Sequence, residues 1–74
     1  MPRGDIETFY EDGDWHNRTE GRGGLLSSYQ EKELAVAHGR RLARDRQVEH
    51  IIRRLDGTID ERHLYADDAR NARR

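Results

Sequence analysis

Ile6-Glu7-Thr8-Phe9-Tyr10-Glu11-Asp12-Gly13-Asp14-Trp15-His16-Asn17-Arg18-Thr19 is the stretch that decides the fold. Aromatic, β-branched and threonine residues flank an Asp-Gly dipeptide, which a two-residue type I′ turn favours because both loop positions need positive φ. With Asp12 and Gly13 as the loop, the register follows by counting: Glu11 opposes Asp14, Tyr10 opposes Trp15, and so on to Ile6 against Thr19. One face then carries Ile6, Thr8, Tyr10, Trp15, Asn17 and Thr19. The other carries Glu7, Phe9, His16 and Arg18, where a Glu7–Arg18 ion pair suits solvent. The Tyr10 and Trp15 face is the one expected to be buried.

Asp56-Gly57 repeats the signal near the C-terminal end, between Val48–Leu55 and Thr58–Tyr65. The same counting sets His50 against His63, Ile51 against Arg62, Ile52 against Glu61, Arg53 against Asp60 and Val48 against Tyr65. Val48, His50, Ile52, Ile59 and Tyr65 share a face and are expected in the core, leaving Ile51 and Leu64 outside.

Between the hairpins, residues 21–24 read as a flexible connection. Ser27 or Ser28 is placed to cap a helix, with Glu31 completing a capping box, and the helix is expected to run to about Gln47. Leu34, Ala35, His38, Gly39 and Leu42 form its apolar stripe. An interior glycine costs roughly 1 kcal/mol against alanine, so Gly39 points to close approach of the helix backbone to the sheet, beneath Trp15 or Tyr10. Ala35 and Ala43 serve the same closeness. The expected fold class is therefore α+β, in the order ββαββ: an antiparallel sheet of two hairpins with one helix on one face. A single domain over residues 5–66 is expected, with a disordered start at 1–4 and a frayed basic tail at 67–74.

Further motifs, Trp15-His16-Asn17-Arg18 with Glu20-Gly21, Gly39-Arg40 with Ala43-Arg44, Val48-Glu49-His50, Asp56-Gly57-Thr58-Ile59 and the Tyr65 region, are spread along the chain from about Asp5 to Asn71. In that order they resemble a family of small uncharacterised bacterial proteins with a hairpin, helix, hairpin layout. The resemblance implies a fold and no activity. Members commonly close with Tyr-Gly-x-Asp-Pro-Arg, whereas this chain has Tyr65-Ala66-Asp67-Asp68-Ala69-Arg70.

The composition narrows the function classes. Seventy-four residues, 32% hydrophobic and 39% charged, can build one small core. The absence of cysteine removes disulfides as a staple, so self-association is one route to added stability. The segment after Met1 has no apolar run and no stretch is long enough for a membrane span, which points to a cytoplasmic protein. Net charge is -1, but residues 1–37 hold four basic and eight acidic side chains (net -4) and residues 38–74 hold ten and seven (net +3).

No enzyme and no cofactor are expected. Ser27 and Ser28 serve the cap rather than nucleophilic chemistry, the acids flanking the turns are solvated, and the glycine-rich segment lacks the lysine and hydroxyl of a P-loop. His50, His63 and Glu61 share a face, yet a closed zinc site wants four ligands. Two binding readings remain. The preferred one is a protein-interaction or self-association module, a homodimer included, working through unpaired sheet edges and the outward Phe9, Ile51 and Leu64. The alternative is a nucleic-acid-binding accessory protein using Arg40, Arg44, Arg53, Arg54 and Arg62.

Overall fold

The computed structural model describes residues 4–65. β1 (Ile6–Glu11) and β2 (Asp14–Thr19) form the expected hairpin, paired from Ile6↔Thr19 to Glu11↔Asp14. Asp12 (φ 54°) and Gly13 (φ 88°) both lie at positive φ, as a type I′ turn demands. A third strand, β3 (Leu25–Tyr29), then pairs antiparallel with β2, before α1 (Lys32–Arg46), β4 (Glu49–Arg53) and β5 (Ile59–Leu64).

β3 changes the topology. It replaces the expected helix start: Ser27 and Ser28 are strand residues, and the helix begins at Lys32 after Glu31, whose side chain makes no capping hydrogen bond. The extra strand also reverses the chain once more, so β4 enters parallel to β1, with Ile6, Glu7 and Thr8 beside His50, Ile51 and Ile52. The sheet is therefore mixed rather than purely antiparallel, in the order β3-β2-β1-β4-β5, and α1 is the crossover between the parallel strands β3 and β4. The helix ends at Gln47, whose N–H bonds the carbonyls of Ala43 and Arg44 and whose left-handed backbone (φ 59°) turns the Val48 N–H back onto the Ala43 carbonyl at 3.0 Å.

The second hairpin keeps its expected register at His50↔His63, Ile51↔Arg62 and Ile52↔Glu61, but not beyond. Its turn holds three residues rather than two. The Gly57 N–H bonds to the Arg54 carbonyl and the Arg54 N–H to the Thr58 carbonyl, with Gly57 alone at positive φ (91°). The added loop residue is offset by an irregularity after Ile52, so Arg53 lies opposite Ile59 instead of Asp60.

α1 lies over β1, β2, β3 and β4 and makes no comparable contact with β5. Its buried stripe is Ala35, Gly39 and Ala43, the small residues; Leu34, expected inside, is exposed. Ile6, Ala43 and Val48 form the apolar cluster, with Leu42 and Tyr65 against it. Small side chains bring the helix backbone close along this stripe, so Leu42 packs only at its side and Leu34 stays outside. Trp15 is buried beneath the Lys32 ammonium, which stands 5.4 Å from its ring centroid, whereas Tyr10, its direct partner on β1, is exposed. Ile59 is also exposed, because no helix covers β5.

Candidate functional site

The middle of the helix-covered face is polar. Asn17 donates both amide hydrogens, to the Ser27 hydroxyl (3.1 Å) and the Ala35 carbonyl (2.9 Å), so its Oδ1 accepts from Thr8 at 2.5 Å. Thr8 has only that one proton to give. The His50 Nε2, 2.7 Å from the same Thr8 hydroxyl, must therefore donate to it. This fixes the tautomer and leaves the His50 Nδ1 as a buried lone pair with no hydrogen-bond partner among the described residues. His50 is wholly buried, and burial first, then the positive charges of His63 and Arg40, push its pKa from 6.5 down to about 4 against an opposing pull from Glu61. Gly39 lies on this cluster, not beneath Trp15 or Tyr10: an added Cβ would meet Asn17 Oδ1 and His50 Nε2 at 2.6 Å and Thr8 Oγ1 at 2.7 Å. The cluster is sealed by the helix, and its role is to join sheet and helix.

The opposite face has no helix, yet Phe9, Ile51, His16 and Glu7 are buried on it. Arg18 stacks over the Phe9 ring with its guanidinium carbon 4.3 Å from the centroid. Glu7, only 2% exposed, accepts from Arg18 at 2.6 Å and from Arg53. Burial alone would raise the Glu7 pKa; the two guanidinium hydrogen bonds overcome it and hold the carboxyl below its ordinary 4.5. His16 is clasped by Ser28 Oγ at 2.7 Å and the Glu11 carbonyl at 2.9 Å. Arginine stems and charge pairs thus do the covering that a second layer would do in a larger protein.

This accounts for where the candidate residues fall. Of Phe9, Ile51 and Leu64, the first two are covered, and only Leu64, 59% exposed on β5, faces solvent. The five arginines are not gathered. Arg53 and Arg62 lie on the helix-free face paired with Glu7 and Glu49, Arg54 is at the turn near Asp60, and Arg40 and Arg44 are exposed on the helix. His50 and His63 oppose each other as expected, but His63 Nε2 is paired with Glu61 at 2.7 Å. Among the described residues no three metal-ligating side chains converge.

The surface that sequence reasoning missed is β3. Leu25 is 51% exposed and Leu26 41%, and the helix adds Leu34 at 53%. The two sheet edges differ in kind. Each edge strand carries one register irregularity, at Leu26 in β3 and at Asp60 in β5, so the contrast is one of charge: β5 reads Ile59-Asp60-Glu61-Arg62-His63-Leu64, whereas β3 reads Leu25-Leu26-Ser27-Ser28-Tyr29 with no charge and no proline. Charge, proline and bulges are what keep a strand edge from pairing with another chain.

A five-stranded mixed sheet with one covering helix, a sealed polar centre and two unlike edges defines a small α+β domain. Over residues 6–65 the chain matches a family described as uncharacterized proteins conserved in bacteria (DUF2188), and it belongs to that family. The family carries no assigned activity. No curated protein and no solved structure matches the chain. No helix among the described residues is long and apolar enough to cross a membrane.

Proposed function

We propose that this protein is a self-association module in which the β3 edge of one copy pairs antiparallel with the β3 edge of another. The observation that carries this reading is the contrast between the edges: β3 is neutral, proline-free and flanked by exposed leucines, while β5 is charged. Antiparallel self-pairing extends two sheets into one and brings the end of β3 near Arg22 beside the partner's end near Glu31 and Glu33, joining opposite charges.

The energetics place it in the weak range. Leu25, Leu26 and Leu34 are half-exposed, so covering each contributes about 1 kcal/mol, and two copies supply six such side chains. That gain and the edge hydrogen bonds work against an association cost of at least about 4 kcal/mol, which makes a reversible, concentration-dependent dimer the expected state.

Sedimentation equilibrium tests it. The wild-type mass should rise toward that of a dimer with concentration, Leu26→Lys should stay monomeric while folded, and Leu64→Lys on the other edge should behave as wild type. A wild-type chain that is monomeric throughout, or a Leu26→Lys dimer of unchanged affinity, contradicts the reading.

A further inference from the structure

Charge in this protein is segregated in space. Among the described residues, α1 holds five basic and two acidic side chains, net +3, while the others hold five and eleven, net -6. Strand alternation puts Glu7, Glu11, Asp14 and Glu49 toward the helix-free face, away from α1. Among the described residues outside α1, four of the five basic groups have carboxylate partners: Arg18 and Arg53 hold Glu7, Arg62 holds Glu49, and Arg54 shares Asp60 with Lys32 of the helix. Arg40, Arg41 and Arg44 do not. They are exposed, line one shallow cleft with Ala37 and Asp45, and make no side-chain hydrogen bond or ion pair among the described residues.

We infer that Arg40, Arg41 and Arg44 form a binding site for the phosphate backbone of a nucleic acid. Three unpaired guanidinium groups on adjacent turns present forked donors that match phosphate oxygens. Arg40 and Arg44, four residues apart at 1.5 Å rise, are displaced by about 6 Å along the axis, comparable to the step between successive phosphates on a strand. The acids nearest to Arg40 do not neutralise it, because Asp60 is held by Lys32 and Arg54 and Glu61 by His63. No aromatic residue lies on the outer face of α1, so the site reads backbone and not bases. The low overall pI of 6.4 does not oppose this, since Glu7, Glu11, Asp14 and Glu49 lie toward the helix-free face and Asp45 is the one acid lining the arginine cleft. The site does not need the dimer, although Arg41 also shares a cleft with Tyr29 and Leu34 beside the β3 edge.

Fluorescence anisotropy with labelled duplex DNA, single-stranded RNA and poly-glutamate, from low to physiological salt, tests it. The intact protein should bind nucleic acid weakly at low ionic strength, with a log–log salt slope of about -2 to -3 for three phosphate contacts. Arg40→Gln/Arg41→Gln/Arg44→Gln should lose at least roughly tenfold in affinity, while its circular dichroism stays that of the wild type because glutamine is a good helix former. Binding to either nucleic acid supports the site, and the tighter of the two identifies the source of the phosphates. No binding at low salt, an unaffected triple variant, or equal affinity for poly-glutamate overturns it.

Discussion

Gly39 and His50 are in contact through the position that a side chain on Gly39 would occupy: a Cβ there would lie 2.6 Å from the His50 Nε2. The glycine is the opening through which the helix settles onto a polar layer already closed by its own hydrogen bonds. Thr8, Asn17 and His50 are all fully buried, and each holds the next in place.

Gly39→Ala should therefore destabilise the protein although it improves helix propensity. Propensity favours alanine by about 1 kcal/mol, but overpacking a closed site costs roughly 1–3 kcal/mol, and the three groups cannot yield without breaking their mutual bonds. Chemical denaturation should show a net loss of about 1–2 kcal/mol; a more stable variant would mean that the helix does not lie this close.

His50 predicts an acid limb to stability. Its pKa is about 4 in the fold against 6.5 outside it, so the unfolded chain binds the proton first. The stabilisation is complete above pH 6.5 and is lost as pH falls toward 4, by on the order of 3 kcal/mol. Denaturation midpoints measured across that window should decline, and His50→Gln should flatten the decline. A wild-type profile that is level from pH 7 to 4.5 contradicts the buried neutral imidazole.

Glu7 acts at lower pH and by a different contact. Because its carboxyl is held below 4.5, its contribution is present above that value and disappears as pH falls through the lower folded pKa. Glu7→Gln should cost about 1–2 kcal/mol at neutral pH, less than a sealed ion pair would, since Arg18 and Arg53 are partly exposed and can return to water. Measured unfolding free energies within error of wild type would show that the two arginines cover Phe9 and Ile51 without help from the carboxylate.

The sequence made the hairpins legible and the third strand illegible, for reasons that lie in particular residues. Asp12-Gly13 demands one turn geometry, and the pairing of β1 with β2 follows from it by counting. Asp56-Gly57 has the same letters, but only Gly57 takes positive φ, and the resulting one-residue slip is cancelled after Ile52, so the far end of that register could be read while the near end could not. Leu25-Leu26-Ser27-Ser28-Tyr29 shows no alternation, and Ser28 with Glu31 imitates a capping box; in the fold Ser27 instead meets Asn17 and His38, and Ser28 meets His16. The break at Gly23-Gly24 and the aromatic Tyr29 were the available signals for a strand. Missing that strand hid the parallel pairing of β1 with β4 and, with it, the neutral edge. Phe9 and Ile51 could be assigned to their face from the register, but their covering by arginine stems depends on contacts between residues distant in the chain.

The pairing of β3 with β3 is tested most directly by amide hydrogen exchange of residues 25–29 at low and high protein concentration. Self-association predicts that their outward N–H groups become more protected as concentration rises, with β5 unchanged and Leu26→Lys showing no such gain. Exchange rates in β3 that do not depend on concentration, or protection that grows at β5 instead, would contradict it.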